Sequence, residues 1–205
     1  MPLEKLFPTY VYNEKLKSND LNLRGEILSE AYKFRDDDIE GHKWCKKNYV
    51  GGYTSYGSLC KLHKMSPTFN ELKKQIDKHV KKYIQVTEMD LEGHKIEMNS
   101  CWVSIMPAQS HHSFHIHPQS FISGTYYVST PKNSSVIKFE DPRLAFFMGS
   151  PSRKSKCRRE NQHFVAVDPR EGNVVLFESW LRHEVPANTS ETERVSVSFN
   201  YSWNF

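Results

Sequence analysis

Residues Arg194–Trp203 (RVSVSFNYSW) alternate strictly between polar and apolar side chains, which predicts a β-strand with two unlike faces. Arg194, Ser196, Ser198 and Asn200 fall on one face, and Val195, Val197, Phe199 and Tyr201 on the other. A polar face on a long central strand is costly to bury unless it lines a cavity or meets polar partners. The same period of two begins at Lys95. Candidate strands are Lys95–Pro107, Ser113–His117, Gly124–Ser129, Val136–Phe139, His163–Val167, Asn173–Glu178, His183–Val185 and Arg194–Trp203. Short strands separated by turn residues predict a mainly β fold, a jelly roll or small barrel.

The first half of the chain reads differently. Leu3–Tyr12 looks like a short edge strand broken by Pro8, which has no N–H to give a ladder. A helix is expected from a cap at Asp20 through Phe34, with Leu23, Ile27, Ala31 and Phe34 at helical spacing and the acidic run Asp36–Asp38 ending it. Tyr49–Leu62 is rich in Gly, Tyr and Ser and reads as loop with short strand pieces. Gly51, Gly52 and Gly124 are turn or close-approach positions. Ser66-Pro67 opens a second helix, with a capping hydroxyl before proline and Phe69, Leu72, Ile76, Val80 and Tyr83 on its buried face. The economical architecture is one domain over residues 1–205. Its helical and loop part, 1–94, places two helices on one outer face of a β core at 95–205.

Charge and composition exclude more than they assign. The formal net charge of +4 is spread over many segments, and the lysines of the second helix read as a solvated face, so nucleic acid is not favoured as a partner. Cys45, Cys60, Cys101 and Cys157 form no CxxC pair and suit reduced thiols. The N-terminal residues lack a leader pattern, and no stretch approaches the ~20 apolar residues of a membrane span. A soluble cytoplasmic protein is therefore expected, and the Asn-x-Ser/Thr triplets at Asn133 and Asn188 carry no weight as glycosylation sites.

Four of the ten histidines lie in Ser110–Pro118 (SHHSFHIHP). Side chains two apart on a strand share a face, so His115 and His117 aim at a common point, with Ile116 turned to the opposite layer and His112 toward solvent or an outer shell. A lone His-x-His pair is more often hydrogen-bonded or exposed than metal-bound. A second segment, Leu176–Pro186 (LFESWLRHEVP), shifts that balance by presenting His183 at the end of an apolar strand. Two histidines from one strand and one from another make a facial metal site with open positions. Arg194, at the head of the last strand, is placed to grip a carboxylate by two parallel hydrogen bonds. The plain alternative is an ion pair with Glu178, Glu184 or Asp141. Trp102 and Trp180 read as core or cleft wall.

At this point the chain resembles the 2-oxoglutarate/Fe(II)-dependent dioxygenases, and within them a group of 2OG-Fe(II) oxygenases of bacteria and phages. The shared pieces are LFPTYVY, GGYTSYGSL, HIHPQSFISGTYYV, KFEDPRLAF and NVVLFESWLRHEVPANTSETERVSVSFNY, so the resemblance covers nearly the whole chain. It implies a double-stranded β-helix, cupin-like, with Fe(II) held by His115, His117 and His183. It implies 2-oxoglutarate as co-substrate, its far carboxylate held by Arg194 and Ser196 with Tyr127 sharing the contact. The implied reaction hydroxylates an unidentified substrate and releases succinate and CO2.

One departure stands out. The superfamily usually has a carboxylate where this chain has His117, so the iron meets one negative charge fewer. Glu140, Asp141 or a water would have to supply it. Expected partners are O2 and a small-molecule or peptide substrate, with no membrane and a homodimer as the oligomer considered. The longest insertion, Asp141–Gln162, carries Arg153, Lys154, Lys156, Arg158 and Arg159, and suits either an anion-binding lid or a solvated loop. Two other readings remain at this level. One is a cupin-like three-histidine metalloprotein that does not use 2-oxoglutarate; the other is a non-catalytic metal-binding β-helix module.

Overall fold

A computed structural model describes residues 3–16, 21–49 and 51–203. The elements in chain order are β1 (Val11–Lys15), α1 (Leu21–Asp37), α2 (Ile39–Asn48), β2 (Tyr53–Thr54), α3 (Leu62–Met65), α4 (Pro67–Val86), β3 (Ile96–Met106), β4 (His112–His115), β5 (Ile122–Ser129), β6 (Ile137–Glu140), β7 (Phe164–Val167), β8 (Asn173–Glu178), β9 (His183–Val185) and β10 (Arg194–Trp203). The strands form two antiparallel sheets. The larger has six strands in the order β1-β8-β5-β10-β3-β2, and the smaller has four in the order β4-β9-β6-β7. Among the described residues this is a mainly β, jelly-roll-type arrangement with four α-helices.

The strictly alternating strand lies inside the larger sheet. β10 pairs with β3 on one side and β5 on the other, so its backbone groups are satisfied along both edges. Its apolar face, Val195, Val197, Phe199 and Tyr201, joins Val103, Ile105, Tyr126 and Leu176 against the helices. There α1 contributes Leu23, Ile27 and Ala31, and α4 contributes Phe69, Leu72, Ile76, Val80 and Tyr83, all buried. Fully burying side chains of this size stabilises the fold by roughly 1.5–3 kcal/mol each. The other sheet face meets the smaller sheet through Tyr127, Val175 and Phe177, packed on Ile137, Phe139, Val167 and Leu181. The site lies between the sheets, on this second face.

Helix α4 starts as expected: Ser66 Oγ accepts from the N–H groups of Thr68 and Phe69, and Pro67 occupies the first turn. Other expectations need correction. The first helix runs three residues past Phe34, to Asp37; its expected cap, Asp20, lies outside the described residues. The acidic run then does more than end a helix, because Asp38 caps a new one, α2, by accepting from Gly41 N at 2.8 Å. Asp38 also accepts from the Tyr53 and Ser58 hydroxyls, tying α2 to the segment that follows. Residues 3–10 carry no strand; the edge strand sits at Val11–Lys15, pairing with β8. The N-terminal part is thus more than helix and loop, since β1 and β2 form the two edges of the larger sheet.

Gly124 illustrates close approach. A Cβ there would lie 2.5 Å from the Val175 carbonyl oxygen and 2.6 Å from the Phe199 ring. Gly51 instead adopts φ +83°, where glycine is unstrained.

Candidate metal centre

Pairing of β4 with β9 sets His115 directly across from His183. Their ring centroids are 4.4 Å apart. His117 lies two residues beyond the end of β4, not on it, so strand parity alone does not place it. Its backbone N–H donates to Ser179 O at 3.0 Å, and that anchor brings its ring to 5.2 Å from His115 and 5.1 Å from His183. One ligand atom from each of the three lies within 4.8 Å of the others. Three atoms that close share a point within about 2.8 Å of all of them (the separation divided by √3). Metal–imidazole bonds of ~2.0–2.1 Å need only a small inward movement from there.

The ring nitrogens are sorted for this task. His115 Nδ1 donates to Ser113 O at 2.7 Å, and His183 Nδ1 donates to Leu181 O at 2.8 Å. His117 Nδ1 donates to Asn200 Oδ1 at 2.6 Å. With Nδ1 carrying the proton in each case, Nε2 keeps its lone pair. Burial lowers the pKa of all three rings, to about 4 for His117 and about 3 for His183, where the neighbouring His115 adds to the effect. The imidazoles are therefore neutral near pH 7, as metal ligands must be. Phe177, 4.6 Å from the His183 ring, holds it edge-on. Three neutral nitrogens suit iron, zinc, copper or nickel.

The acids that were to supply the missing charge are engaged elsewhere. Glu140 accepts from Arg182, and Asp141 from Arg143 at 2.9 Å. No carboxylate joins the cluster among the described residues.

A cavity of about 70 Å³ opens beside the histidines, lined among others by Trp102, Ser104, Met106, Thr125, Phe177, Arg194, Ser196 and Ser198. At ~10–15 Å³ per water this is space for roughly five waters, the scale of a small dicarboxylate. Arg194 lies in its wall and is only 2% exposed. Its Nη1 donates to Ser196 Oγ at 3.1 Å and touches Met106 Sδ at 3.3 Å, while Nε has no partner. The plain alternative for this arginine does not hold. Glu184 pairs with Lys138, Asp141 with Arg143, and Glu178 accepts from Trp180. A buried guanidinium without an anion is unfavourable. Tyr127 is fully buried with its ring 5.1 Å from the guanidinium carbon, and its hydroxyl lacks a partner.

Several neighbours escaped sequence reasoning. His112 does not face solvent: its ring lines the cavity and stacks on Tyr49 at 4.1 Å. The β4–β9 register shifts between His112 and His115, which overturns the parity assigned to it. Ile116, just beyond the end of β4, is exposed rather than in the opposite layer. Tyr49 comes from a remote loop that no motif marks as part of a site. Trp102 forms cavity wall as expected, whereas Trp180 is 48% exposed. Arg153, Lys154, Lys156, Arg158 and Arg159 all belong to the insertion between β6 and β7.

Fold and site together define a jelly-roll-type protein with a three-imidazole centre next to a cationic cavity. Residues 100–200 match a family model described as "Putative 2OG-Fe(II) oxygenase", a segment that includes the three histidines, Tyr127, Arg194 and Ser196. This β core, just under half of the chain, is similar to the 2OG-Fe(II) oxygenase family, and the match indicates an enzyme of that class. Among solved structures it is similar to the non-heme alpha ketoglutarate dependent epimerase SnoN of nogalamycin biosynthesis, at 13% identity and TM-score 0.65, covering 95% of this chain and 76% of that one. A prolyl-4-hydroxylase from Pseudomonas putida is similar at 13% identity and TM-score 0.59, covering 96% of this chain and 94% of that one. HygX from Streptomyces hygroscopicus, solved with nickel and 2-oxoglutarate, is similar at 13% identity and TM-score 0.58, covering 96% and 84%. These likenesses show the fold. No curated protein matches the chain by sequence. Among the described residues, no helix is long and apolar enough to cross a membrane.

Proposed function

We propose that this chain is an Fe(II)- and 2-oxoglutarate-dependent oxygenase that hydroxylates a small molecule or peptide, on a single-domain double-stranded β-helix. The observation that carries the reading is Arg194, a buried guanidinium with no carboxylate partner among the described residues, beside three convergent, neutral imidazoles. A three-histidine metalloprotein without 2-oxoglutarate gives that arginine nothing to bind. HygX was solved with 2-oxoglutarate and SnoN with Fe3+ and alpha ketoglutarate, which supports the same assignment here.

His115, His117 and His183 would hold the metal through Nε2, each ring oriented by its Nδ1 hydrogen bond. Iron bound there, with 2-oxoglutarate and O2, supplies the oxidising chemistry that ends in succinate, CO2 and a hydroxylated product. The chain's own part is binding, orientation and exclusion of water. Arg194 grips the far carboxylate, Ser196 steadies the guanidinium, and the Tyr127 hydroxyl shares the contact. Trp102, Phe177, Ile137 and Val185 keep the cavity wall largely apolar. The test is anaerobic addition of Fe(II) and 2-oxoglutarate to the metal-free protein. A visible charge-transfer band that vanishes in Arg194→Ala is expected. Absence of a band in the wild type, with tight binding of another metal, sinks the reading.

A further inference from the structure

The polar face of β10 has a second end, away from Arg194. Arg194 and Ser196 occupy one end; six residues further along, roughly 20 Å at the rise of a strand, the same face presents Asn200. Asn200 is buried, and its Oδ1 accepts two hydrogen bonds, from His117 Nδ1–H at 2.6 Å and from the Ser123 hydroxyl at 2.8 Å. Ser123 is its direct cross-strand partner on β5 and shares a 2.7 Å hydrogen bond with Ser179, whose carbonyl takes the His117 backbone N–H. His117 is thus held at its ring by Asn200, with the Ser123 hydroxyl 3.1 Å from the same nitrogen, and at its backbone by Ser179. It needs this more than the other two histidines, because it lies outside the strand and uses no nearby backbone carbonyl to fix its ring.

We propose that Asn200 is the positioning residue for His117: its amide oxygen selects the tautomer with a free Nε2 lone pair, aims that nitrogen at the other two histidines, and does so without adding charge. This rests on the three-histidine metal reading above. A carboxylate in the same place would also hold the ring, but would make the imidazole more basic and the centre less positive. An amide leaves the dication's charge undiminished by its surroundings, which suits a centre that must attract an anionic co-substrate.

The test is titration of the metal-free protein with Co(II), following the visible ligand-field spectrum and the dissociation constant, beside circular dichroism of the folded state. Loss of an outer partner of a metal-bound histidine typically weakens metal binding ~10–100-fold, and Asn200→Ala is expected to fall in that range with an altered spectrum. Asn200→Asp keeps the acceptor in nearly the same volume and is expected to bind Co(II) as tightly as wild type or more tightly. Folded Asn200→Ala with the wild-type affinity and spectrum overturns the assignment. So does weakening by tenfold or more in Asn200→Asp, which decides the matter if the alanine variant does not fold. A wild-type protein that takes up no Co(II) refutes the metal reading itself and the assignment with it.

Discussion

Replacing Arg194 by Met should make the ligand-free protein more stable while removing its response to 2-oxoglutarate. The guanidinium has five N–H donors, and the contacts it makes are to the Ser196 hydroxyl, the Met106 sulfur and the face of Tyr127; Nε bonds to nothing. Exchange of buried charge for a well-packed apolar side chain of similar volume is neutral to stabilising, by about 1–4 kcal/mol. Taking about 1–2 kcal/mol after the loss of the Ser196 and Tyr127 contacts, and ~2–4 °C per kcal/mol for a chain of this size, the melting temperature should rise by roughly 2–8 °C. Hydrogen bonds to a charged group contribute ~1.5–3 kcal/mol each, so losing a bidentate grip should weaken 2-oxoglutarate binding by at least about 100-fold. The assay is thermal unfolding with Co(II) present, with and without 2-oxoglutarate. Wild type should melt higher with the ligand, Arg194→Met should not, and Co(II) alone should stabilise both. A variant that melts below wild type without ligand, or keeps the full 2-oxoglutarate shift, would refute the reasoning.

Three further outcomes can be checked by urea unfolding. His63 is buried, and burial, helped by Lys64 and Lys73 and opposed by the Met98 backbone, lowers its pKa to about 4. The unfolded chain takes up its proton near pH 6.5 and the folded one only near 4. Stability is therefore full above pH 6.5 and falls as the pH drops toward 4, by up to about 3 kcal/mol from this group; His63→Leu should flatten that slope, and an unchanged slope would remove His63 from the account. Gly124→Ala drives a methyl into the Val175 carbonyl and the Phe199 ring and should cost ~1–3 kcal/mol, with an effect near zero counting against the packing described. Asp38→Ala loses the α2 cap and the Tyr53 and Ser58 hydrogen bonds, for a destabilisation of about 1–3 kcal/mol; a wild-type midpoint would show that the cap is dispensable.

Strong local periodicity made most of the β core legible. Asn173–Glu178, His183–Val185 and Arg194–Trp203 are strands with the expected bounds, because each alternates or is apolar throughout between clear turn signals. Helix α4 was equally plain, with cap, proline and apolar face all agreeing. Helix α2 was not, since IEGHKWCKKN buries only Gly41 and Cys45 among its residues and has no apolar stripe to read. The three histidines converge as expected, but for His117 the parity argument reached the right place by the wrong route. Its position is set by Ser179 and Asn200, tertiary partners that no local pattern announces. His112 takes the outer-shell alternative rather than the solvent one, because parity counts residues and a register shift changes the count. Asn200 was visible as a polar residue on a strand face, yet its hydrogen bond to His117 spans 83 positions in sequence.

The strand β1 forms one edge of the larger sheet and pairs only with β8, Val11 opposite Phe177. On the ribosome, β1 is made before the other described strands, and its partner begins only at Asn173, about 158 residues after Lys15. At ~5–20 residues per second, the interval between the two is roughly 8–30 s. Throughout that time Val11 and Tyr12 have no ladder to join, and this edge of the larger sheet is left open. Contacts this distant in sequence are slow to form, so closure of the edge by β1 belongs among the last events of folding. A chain shortened before β8 would carry a β-strand with no mate, and aggregation through that strand is the expected fate of such a fragment.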